Sequence, residues 1–270
     1  MSELWKRIES RERMLLVAGP CLAETKELCL QVAESLRDTC GELGIEFVFK
    51  ASVDKANRTS PDSYRGPGVA QALEWLEVVR DKVQVPTCTD VHEVCQVARA
   101  SGVVDVLQVP ALLSRQTDLI STAGHSGLIV NIKKGQFMSA ANARMAVRKA
   151  VRSGNCRVML TERGTTFGYH DLVVDMRAIA ELRSTTAFPV LFDASHSVQS
   201  PGSGEVSGGS PQFTKPLALA ALAAGADGLF VETHPSPPKA LSDGASSTAL
   251  RDMNNLLWSA AAVWKLRRTL

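Results

Sequence analysis

The chain has 270 residues, of which 45% are hydrophobic and 21% charged, and its formal net charge is +2. A chain of this length and composition can bury a core without disulfide bonds. Positive and negative residues are mixed along the chain, which excludes a basic surface for binding nucleic acid or a membrane. The apolar runs are too short for a transmembrane helix.

The amino-terminal segment MSELWKRIESRERM is charged throughout and lacks the apolar middle of a signal peptide. The cysteines show no spacing typical of a disulfide framework, and there are six of them: Cys21, Cys29, Cys40, Cys88, Cys95 and Cys156. We therefore expect a cytoplasmic protein with reduced thiols.

Eight short apolar segments recur along the chain. The predicted strands are MLLVAGPC (14–21), FVFKAS (47–52), VPTCTD (85–90), VDVLQVP (104–110), LIVNIKK (128–134), VMLTERG (158–164), PVLFDASH (189–196) and GLFVETHP (228–235). None alternates strictly between polar and apolar residues, which is typical of parallel strands with both faces buried.

Helix-like sequence lies between these strands. Helices are predicted over residues 24–40, 70–80, 92–100, 140–152, 170–182, 215–224 and 250–270. Strands that alternate with helices predict a parallel sheet, and eight repeats of the unit favour a closed barrel over an open sheet. No linker divides the sequence, so we expect one α/β domain over residues 1–270, a (β/α)8 TIM barrel.

Each predicted strand ends on a polar or ionisable residue. In chain order these are Cys21, Lys50, Asp90, Gln108, Lys133, Arg163, His196 and Glu232. A single terminal lysine is usually only solvated, but eight polar ends at the face where barrel enzymes build their sites favour an active site. Lys50, Lys133 and Arg163 would repel one another at one mouth unless an anion joined them. Phosphate or carboxylate is the expected anion.

A second set of residues has the composition of a metal site. Cys21, His196 and Glu232 follow strands that are neighbours in a closed barrel, and Asp243 follows in the loop LSDGAS. One sulfur, one imidazole and two carboxylates suit a divalent transition metal, which is Fe, Mn, Co or Zn rather than Ca or Mg. The alternative is that Cys21 and His196 are buried packing residues.

Two long loops follow predicted strands two and seven. The first carries Lys55, Asn57, Arg58, Thr59, Ser60 and Arg65. Its cations and hydroxyls suit a phosphate, although an ordinary surface loop is the alternative. The second, over residues 198–213, is rich in glycine and predicts a lid. Of the adjacent Lys133 and Lys134, only one can face the site.

The motifs together resemble the family of 3-deoxy-D-manno-octulosonate 8-phosphate synthases over residues 15–250. They include GPC (19–21), DKANRTS (54–60), SYRGPG (63–68), LQVPALLSRQTDL (107–119), VNIKKGQF (130–137), ERGTTFGY (162–169), FDASHSVQ (192–199) and DGLFVETHP (227–235). The resemblance implies a homotetrameric β/α barrel. It also implies condensation of phosphoenolpyruvate with D-arabinose 5-phosphate, releasing phosphate, in lipopolysaccharide inner-core sugar synthesis.

The resemblance also implies roles for single residues. The phosphoenolpyruvate pocket of the family falls on Lys50, Lys55, Gln108, Lys133, Arg163 and His196. Its pentose phosphate contacts fall on Asn57, Arg58, Thr59 and Asp90, with Arg115 reaching in from a neighbouring subunit. Cys21 stands where the metal-dependent branch has cysteine and the metal-independent branch has asparagine. The lid departs from many relatives, because Pro211 and Gln212 replace an Arg-Glu pair.

Two other functions remain as alternatives. A related synthase uses erythrose 4-phosphate, but it typically has a shorter Lys-Pro-Arg loop where this chain has Lys55, Ala56, Asn57 and Arg58. A non-catalytic sugar-phosphate sensor would need the cations but neither metal ligands nor a lid. Phosphate release with each acceptor discriminates among the three functions.

Overall fold

A closed barrel of eight parallel strands forms the centre of the molecule. The structure is a computed structural model that describes residues 2–57, 62–167, 172–200 and 208–269. The strands are β1 (Leu15–Gly19), β2 (Glu46–Lys50), β3 (Thr87–Asp90), β4 (Val106–Val109), β5 (Ile129–Lys133), β6 (Val158–Glu162), β7 (Val190–Asp193) and β8 (Gly228–His234). Strands β8 and β1 pair in parallel from Gly228↔Leu15 to Glu232↔Gly19 and so close the barrel.

In the described part of the chain a helix follows each strand around the outside of the barrel, and one further helix precedes the first strand. These helices are α1 (Glu3–Ser10), α2 (Lys26–Leu43), α3 (Val69–Val83), α4 (Val94–Ser101), α5 (Thr117–His125), α6 (Ala140–Arg152), α7 (Arg177–Thr186), α8 (Thr214–Ala223) and α9 (Leu250–Arg267). Local sequence sets their ends. For α2, the Thr25 side chain accepts the N–H of Leu28, and Gly44 ends the helix with a φ of 68°. The prediction of a single eight-fold β/α barrel is confirmed.

The core has two layers. The larger one packs the inner faces of α2 to α9 against the outer face of the barrel. The smaller one fills the barrel interior and includes Leu4, Trp5 and Ile8 of α1. These three residues lie on one face of α1, and Trp5 is 1% exposed.

Helix α1 closes the amino-terminal end of the barrel. Its apolar face packs against interior side chains of the strands, including Leu15 and Ile129 at the beginnings of β1 and β5. Arg7 donates two hydrogen bonds, of 2.9 and 3.0 Å, to the carboxylate of Glu46 at the start of β2. The opposite, carboxyl-terminal end is where a ligand can enter.

Three differences from the predicted elements have physical causes. Helices α1 and α5 are not among the predicted ranges, because charges dilute the apolar face of α1 and small polar residues dominate α5. The helix predicted over residues 170–182 begins only at Arg177. Leu172–Val173 instead pairs antiparallel with Thr165–Thr166, as suits β-branched residues. Residues 170 and 171 lie outside the described residues.

Predicted strand ends also shift. Cys21, Arg163 and His196 lie beyond the last residues of β1, β6 and β7, while β8 continues past Glu232 to His234. In the predicted lid, Gln199–Ser200 pairs antiparallel with Gly208–Gly209, and residues 201–207 lie outside the described residues. None of the described helices combines the length and apolarity that a membrane crossing would need.

Candidate functional site

A cavity of about 440 Å³ opens at the carboxyl-terminal ends of the strands. Both signs of charge line it. The ionisable residues in its wall that the sequence predicted are Lys50, Lys55, Asp90, Lys133, Arg163, His196, Glu232 and Asp243. Parallel strands deliver all of these residues to one end of the barrel, so the expected convergence is observed.

Lys50 ends β2 between two carboxylates. Its Nζ donates to Ser52 Oγ at 2.6 Å and lies 3.7 Å from Asp90 Oδ1 and 3.9 Å from Glu232 Oε1. Burial opposes ionisation of Asp90, yet Lys50 and His92 hold the pKa of Asp90 well below its ordinary value. The Asp90 carboxylate therefore stays charged beside Lys50.

Lys133, the last residue of β5, shares a buried carboxylate with His196. Lys133 Nζ donates to Asp193 Oδ2 at 2.6 Å, and the ring Nδ1 of His196 lies 2.9 Å from the same oxygen. The His196 backbone N–H donates to Asp193 Oδ1 at 2.8 Å. Burial opposes ionisation of Asp193, but His196 and Lys133 outweigh it and hold its pKa far below the ordinary value. Asp193 thus fixes the positions of both side chains.

Asp193 was not among the predicted site residues. It is the last residue of β7 and is fully buried, whereas the sequence pattern favours His196 as the end of that strand. An acidic residue closing an apolar run, at the end of the barrel that collects cations, is the signal that could have identified it. His92, Gln199 and Ser242 line the cavity and were also missed.

Arg163 follows β6 directly and is 6% exposed. Its Nη2 donates to the carbonyl of His196 at 3.2 Å and to Gln199 Oε1 at 3.3 Å. Both acceptors are neutral. Among the described residues, no carboxylate lies within ion-pair distance of Arg163. Burial lowers the pKa of its guanidinium, and the more distant carboxylates, Asp193 and Asp243 first, offset this only in part.

Gln108 and Lys55 complete the donor side of the predicted pocket. Gln108 is 2% exposed, and its Oε1 accepts a hydrogen bond of 3.1 Å from Asn131 Nδ2. Lys55 Nζ lies 4.0 Å from Asp243 Oδ2. Burial opposes the charge of Lys55, but the carboxylates of Glu232 and Asp243 outweigh it and raise the pKa of Lys55.

The loop after β2 is only partly within the described residues. Asn57 is exposed and lines the cavity mouth, whereas Arg58, Thr59 and Ser60 lie outside the described residues. Arg65, expected beside them, instead pairs with Asp54, its Nε donating to Oδ1 at 2.9 Å.

Arg115 and Lys134 do not line the cavity. Arg115 is exposed on the segment after β4, where its carbonyl accepts from Lys149 Nζ at 2.6 Å. Lys134 is 1% exposed, and its Nζ donates to the carbonyls of Met138 and Gly164, both at 3.1 Å. Of the lysine pair, Lys133 alone faces the site, as predicted.

Three of the four expected metal ligands lie together. Ligand atoms of Cys21, Glu232 and Asp243 are all within 4.8 Å of one another. Cys21 Sγ donates to Asp243 Oδ2 at 3.0 Å. His196 is outside this group of three, but its Nε2 lies 3.5 Å from Glu232 Oε2.

The surroundings of these three residues fit a cation. Glu232 is 1% exposed, and neither of its carboxylate oxygens has a hydrogen-bond partner among the described residues. Burial opposes its ionisation, but His196, Lys55 and Lys50 lower its pKa, so it is charged. Burial and Glu232 raise the pKa of the Cys21 thiol well above its ordinary value. A cation would satisfy both oxygens and favour the thiolate.

Comparison with known proteins gives a consistent match. The model of the DAHP synthetase I family matches residues 7–268. The 2-dehydro-3-deoxyphosphooctonate aldolase of Desulfotalea psychrophila is 50% identical over 251 residues, which are 93% of this chain and 89% of that protein. The proteins of the same name from Alkalilimnicola ehrlichii and Fusobacterium nucleatum are 52% and 46% identical, over 90% and 95% of this chain and 88% and 92% of their own lengths.

Proposed function

Since the chain belongs to the DAHP synthetase I family, we propose that it is a carbon–carbon bond-forming synthase. It condenses phosphoenolpyruvate with D-arabinose 5-phosphate and water to give 3-deoxy-D-manno-octulosonate 8-phosphate and inorganic phosphate. The name 2-dehydro-3-deoxyphosphooctonate aldolase, shared by its relatives, supports this reaction over the erythrose 4-phosphate alternative. Six unpaired cysteines favour a cytoplasmic location, where this step would serve lipopolysaccharide synthesis.

The unmatched charge of Arg163 is the observation that carries the proposal. Lys50, Lys55 and Lys133 each lie within 4.0 Å of a carboxylate, whereas Arg163 has no such partner in the described chain. A buried guanidinium without a carboxylate in direct contact is costly, and a substrate phosphate or carboxylate lowers that cost. The cavity is therefore suited to an anionic substrate.

The donor, phosphoenolpyruvate, is assigned to the deep part of the cavity. Lys50, Lys133 and Arg163, all at most 6% exposed, neutralise its carboxylate and phosphate. Gln108 adds a polar contact beside them. Because these groups are held by neighbours before the substrate binds, they stabilise charge that develops in the transition state without reorganising.

His196 has a fixed orientation in this assignment. Its Nδ1 lies 2.9 Å from Asp193 Oδ2 and its Nε2 lies 3.5 Å from Glu232 Oε2, so the ring is held between two carboxylates. With the proton of a neutral ring on Nδ1, Nε2 could accept a proton from the attacking water or bind a metal ion.

The metal site is assigned to Cys21, Glu232 and Asp243, with His196 as a fourth ligand. Thiolate, imidazole and carboxylate ligands favour Fe, Mn, Co or Zn. A bound divalent ion would supply Lewis-acid activation of the acceptor aldehyde or of water.

The acceptor, arabinose 5-phosphate, is assigned to the mouth of the cavity. Asp90 and Asn57 would hold its hydroxyl groups, with Arg58, Thr59 and Ser60 near its phosphate. Arg115 is exposed and does not line the cavity of its own chain, which supports a role in the site of a neighbouring subunit in a homotetramer.

In the proposed reaction the C2=C3 π electrons of phosphoenolpyruvate form the bond from C3 to the aldehyde carbon of the acceptor, whose C=O π bond breaks and whose oxygen takes a proton. Water adds to C2 and loses one proton, which gives a hemiketal phosphate. The C2–O bond to phosphate then breaks and the C2 hydroxyl loses its proton to become the carbonyl of the product, while inorganic phosphate leaves.

One assay tests the function. Phosphate release from phosphoenolpyruvate is measured with arabinose 5-phosphate, with erythrose 4-phosphate and without an acceptor. We expect release with the pentose. A clear preference for erythrose 4-phosphate would identify the protein as the alternative synthase. Binding of sugar phosphates without release of inorganic phosphate would indicate a sensor.

A further inference from the structure

Glu24 is a buried carboxylate outside the cavity wall that contacts the loop carrying Asp243. It is 8% exposed at the side chain and follows Cys21 by three residues. Its Oε1 accepts the backbone N–H of Leu241 at 2.9 Å, and its Oε2 lies 3.6 Å from Nε2 of His234. Glu24 thus contacts the loop after β8 both where it begins and where it reaches Asp243.

The tautomer of His234 requires an acceptor at this position. Its Nδ1 accepts the N–H of Ser236 at 2.9 Å, so the proton of the neutral ring lies on Nε2, which faces Glu24. The Leu241 N–H therefore donates to one oxygen of the Glu24 carboxylate, while His234 Nε2 lies 3.6 Å from the other oxygen without a hydrogen bond among the described residues.

The segment that carries Glu24 is firmly attached to the barrel. Leu22 forms a parallel bridge with Ser52, and the Ala23 N–H donates to the Ser52 carbonyl at 2.9 Å. Cys21 belongs to the same segment and lies beneath Ser242 and Asp243, with Sγ at 2.9 Å from Ser242 Oγ and 3.0 Å from Asp243 Oδ2. Cys21 and Glu24 therefore hold residues 241–243 from one rigid platform.

The held loop has a backbone that needs support. Asp243 has a φ of 46°, in the left-handed region that disfavours residues with a side chain. A contact that fixes Leu241 restricts the backbone leading into this conformation. It also sets the distance between the Cys21 sulfur and the Asp243 carboxylate.

We propose that Glu24 is a positioning residue that holds residues 241–243 over Cys21 and so sets the geometry of the Cys21–Asp243 pair. The effect of Glu24 on metal affinity rests on the proposed function, but its effect on how residues 241–243 shield the Cys21 thiol does not. Glu24→Gln is the informative change, because an amide has one acceptor oxygen and must turn a donor toward either Leu241 or His234.

The rate at which iodoacetamide alkylates Cys21 measures how well residues 241–243 shield its thiol. Mass spectrometry resolves this rate for each cysteine, and the experiment needs neither metal nor substrate. In Glu24→Gln we expect the rate at Cys21 to rise roughly tenfold or more, since a hydrogen bond to a charged group is lost. Cys29 and Cys88, both fully buried elsewhere, should stay unlabelled and so exclude general unfolding. Glu27→Gln, an exposed carboxylate on α2, is the matched control and should behave as the unchanged protein.

Equal rates at Cys21 in Glu24→Gln and the unchanged protein, or a parallel rise at Cys88, would overturn the proposal. If Glu24→Gln does not fold, Glu24→Asp, which keeps both oxygens on a shorter arm, should give a smaller rise at Cys21 alone. Titration with Co²⁺, followed by thiolate-to-metal absorption, should also show affinity about tenfold weaker in Glu24→Gln. If the unchanged protein binds no Co²⁺ or releases no phosphate, the metal site or the proposed reaction fails, while the alkylation result still decides the role of Glu24.

Discussion

Arg163 differs from the other cations of the cavity in what surrounds it. The lysines have carboxylate partners, while Arg163 donates to a carbonyl and an amide oxygen. Its positive charge is therefore available to a substrate anion, and its rigid planar group suits two-point contact with phosphate.

Replacement of Arg163 by alanine should lower kcat/KM for phosphate release by about 10²- to 10³-fold, because a preorganised cation is lost from the transition state. Steady-state kinetics with phosphoenolpyruvate and arabinose 5-phosphate measures this loss. Arg157→Ala is the control, because Arg157 precedes β6 at the opposite end of the barrel. Near-normal turnover in Arg163→Ala would remove this residue from the donor site.

The cluster of Cys21, Glu232 and Asp243 predicts a dependence on metal. A strong chelator should abolish phosphate release, and Mn²⁺, Fe²⁺, Co²⁺ or Zn²⁺ should restore it, because the unpartnered Glu232 oxygens repel an anionic substrate unless a cation masks them.

Variants at Cys21 refine this prediction. Cys21→Asn should weaken metal binding yet leave some metal-free activity, since an amide offers a neutral hydrogen-bonding group. Cys21→Ala and Cys21→Ser should be almost inactive without metal. Full activity of the unchanged protein after exhaustive chelation, with no metal found by elemental analysis, would make Cys21 a packing residue.

Helix α1 is an element that sequence periodicity did not identify but on which the barrel interior depends. Trp5→Ala should lower the free energy of unfolding by about 3–5 kcal/mol, because a large buried side chain leaves a cavity that the strands cannot fill. Urea denaturation followed by circular dichroism measures the change. Trp258→Ala is the control, because that side chain is 60% exposed, and an equal loss in both variants would contradict the role of α1 in the core.

Elements with a strong periodic pattern were predictable from sequence. All eight strands lie within or close to their predicted ranges, because parallel strands buried on both faces read as continuous apolar runs. Helix α1 was missed because Leu4, Trp5 and Ile8 alternate with charged residues. A helix beginning near Arg115 was expected, but α5 was given no range because TDLISTAGH has few large apolar side chains.

Site residues were predictable where a strand end exposes an unusual side chain, as for Lys50 and Lys133. Asp193 was not, because its role comes from two side chains brought to it by β5 and the turn after β7. Contacts across the barrel depend on closure and register, which no local pattern contains.

At the scale of the whole molecule, exposed apolar side chains on the loops after β4, β5 and β6 suggest a covered surface. Leu112, Phe137 and Phe167 are 49%, 53% and 67% exposed, and Arg115 lies on the first of these loops. Apolar side chains exposed near a charged residue are typical of a subunit interface.

We therefore expect an oligomer, most simply a symmetric tetramer, in which Arg115 completes a neighbouring site. Sedimentation at assay concentrations measures the assembly, and Arg115→Ala should raise KM for arabinose 5-phosphate more than KM for phosphoenolpyruvate. Arg37→Ala, an exposed arginine on α2 that pairs with Asp38, is the control. A fully active monomer would refute shared sites.

The seal that α1 makes beneath the barrel has a kinetic consequence. Because α1 closes the base, the described part of the cavity opens toward the carboxyl-terminal ends of the strands, and both substrates enter from that side. In the proposed assignment phosphoenolpyruvate lies near the buried Lys50 and Lys133, and the pentose phosphate lies near the exposed Asn57, so we expect phosphoenolpyruvate to bind first. Arabinose 5-phosphate that binds first blocks entry of phosphoenolpyruvate. An excess of arabinose 5-phosphate should therefore inhibit turnover, and a higher concentration of phosphoenolpyruvate should relieve this inhibition.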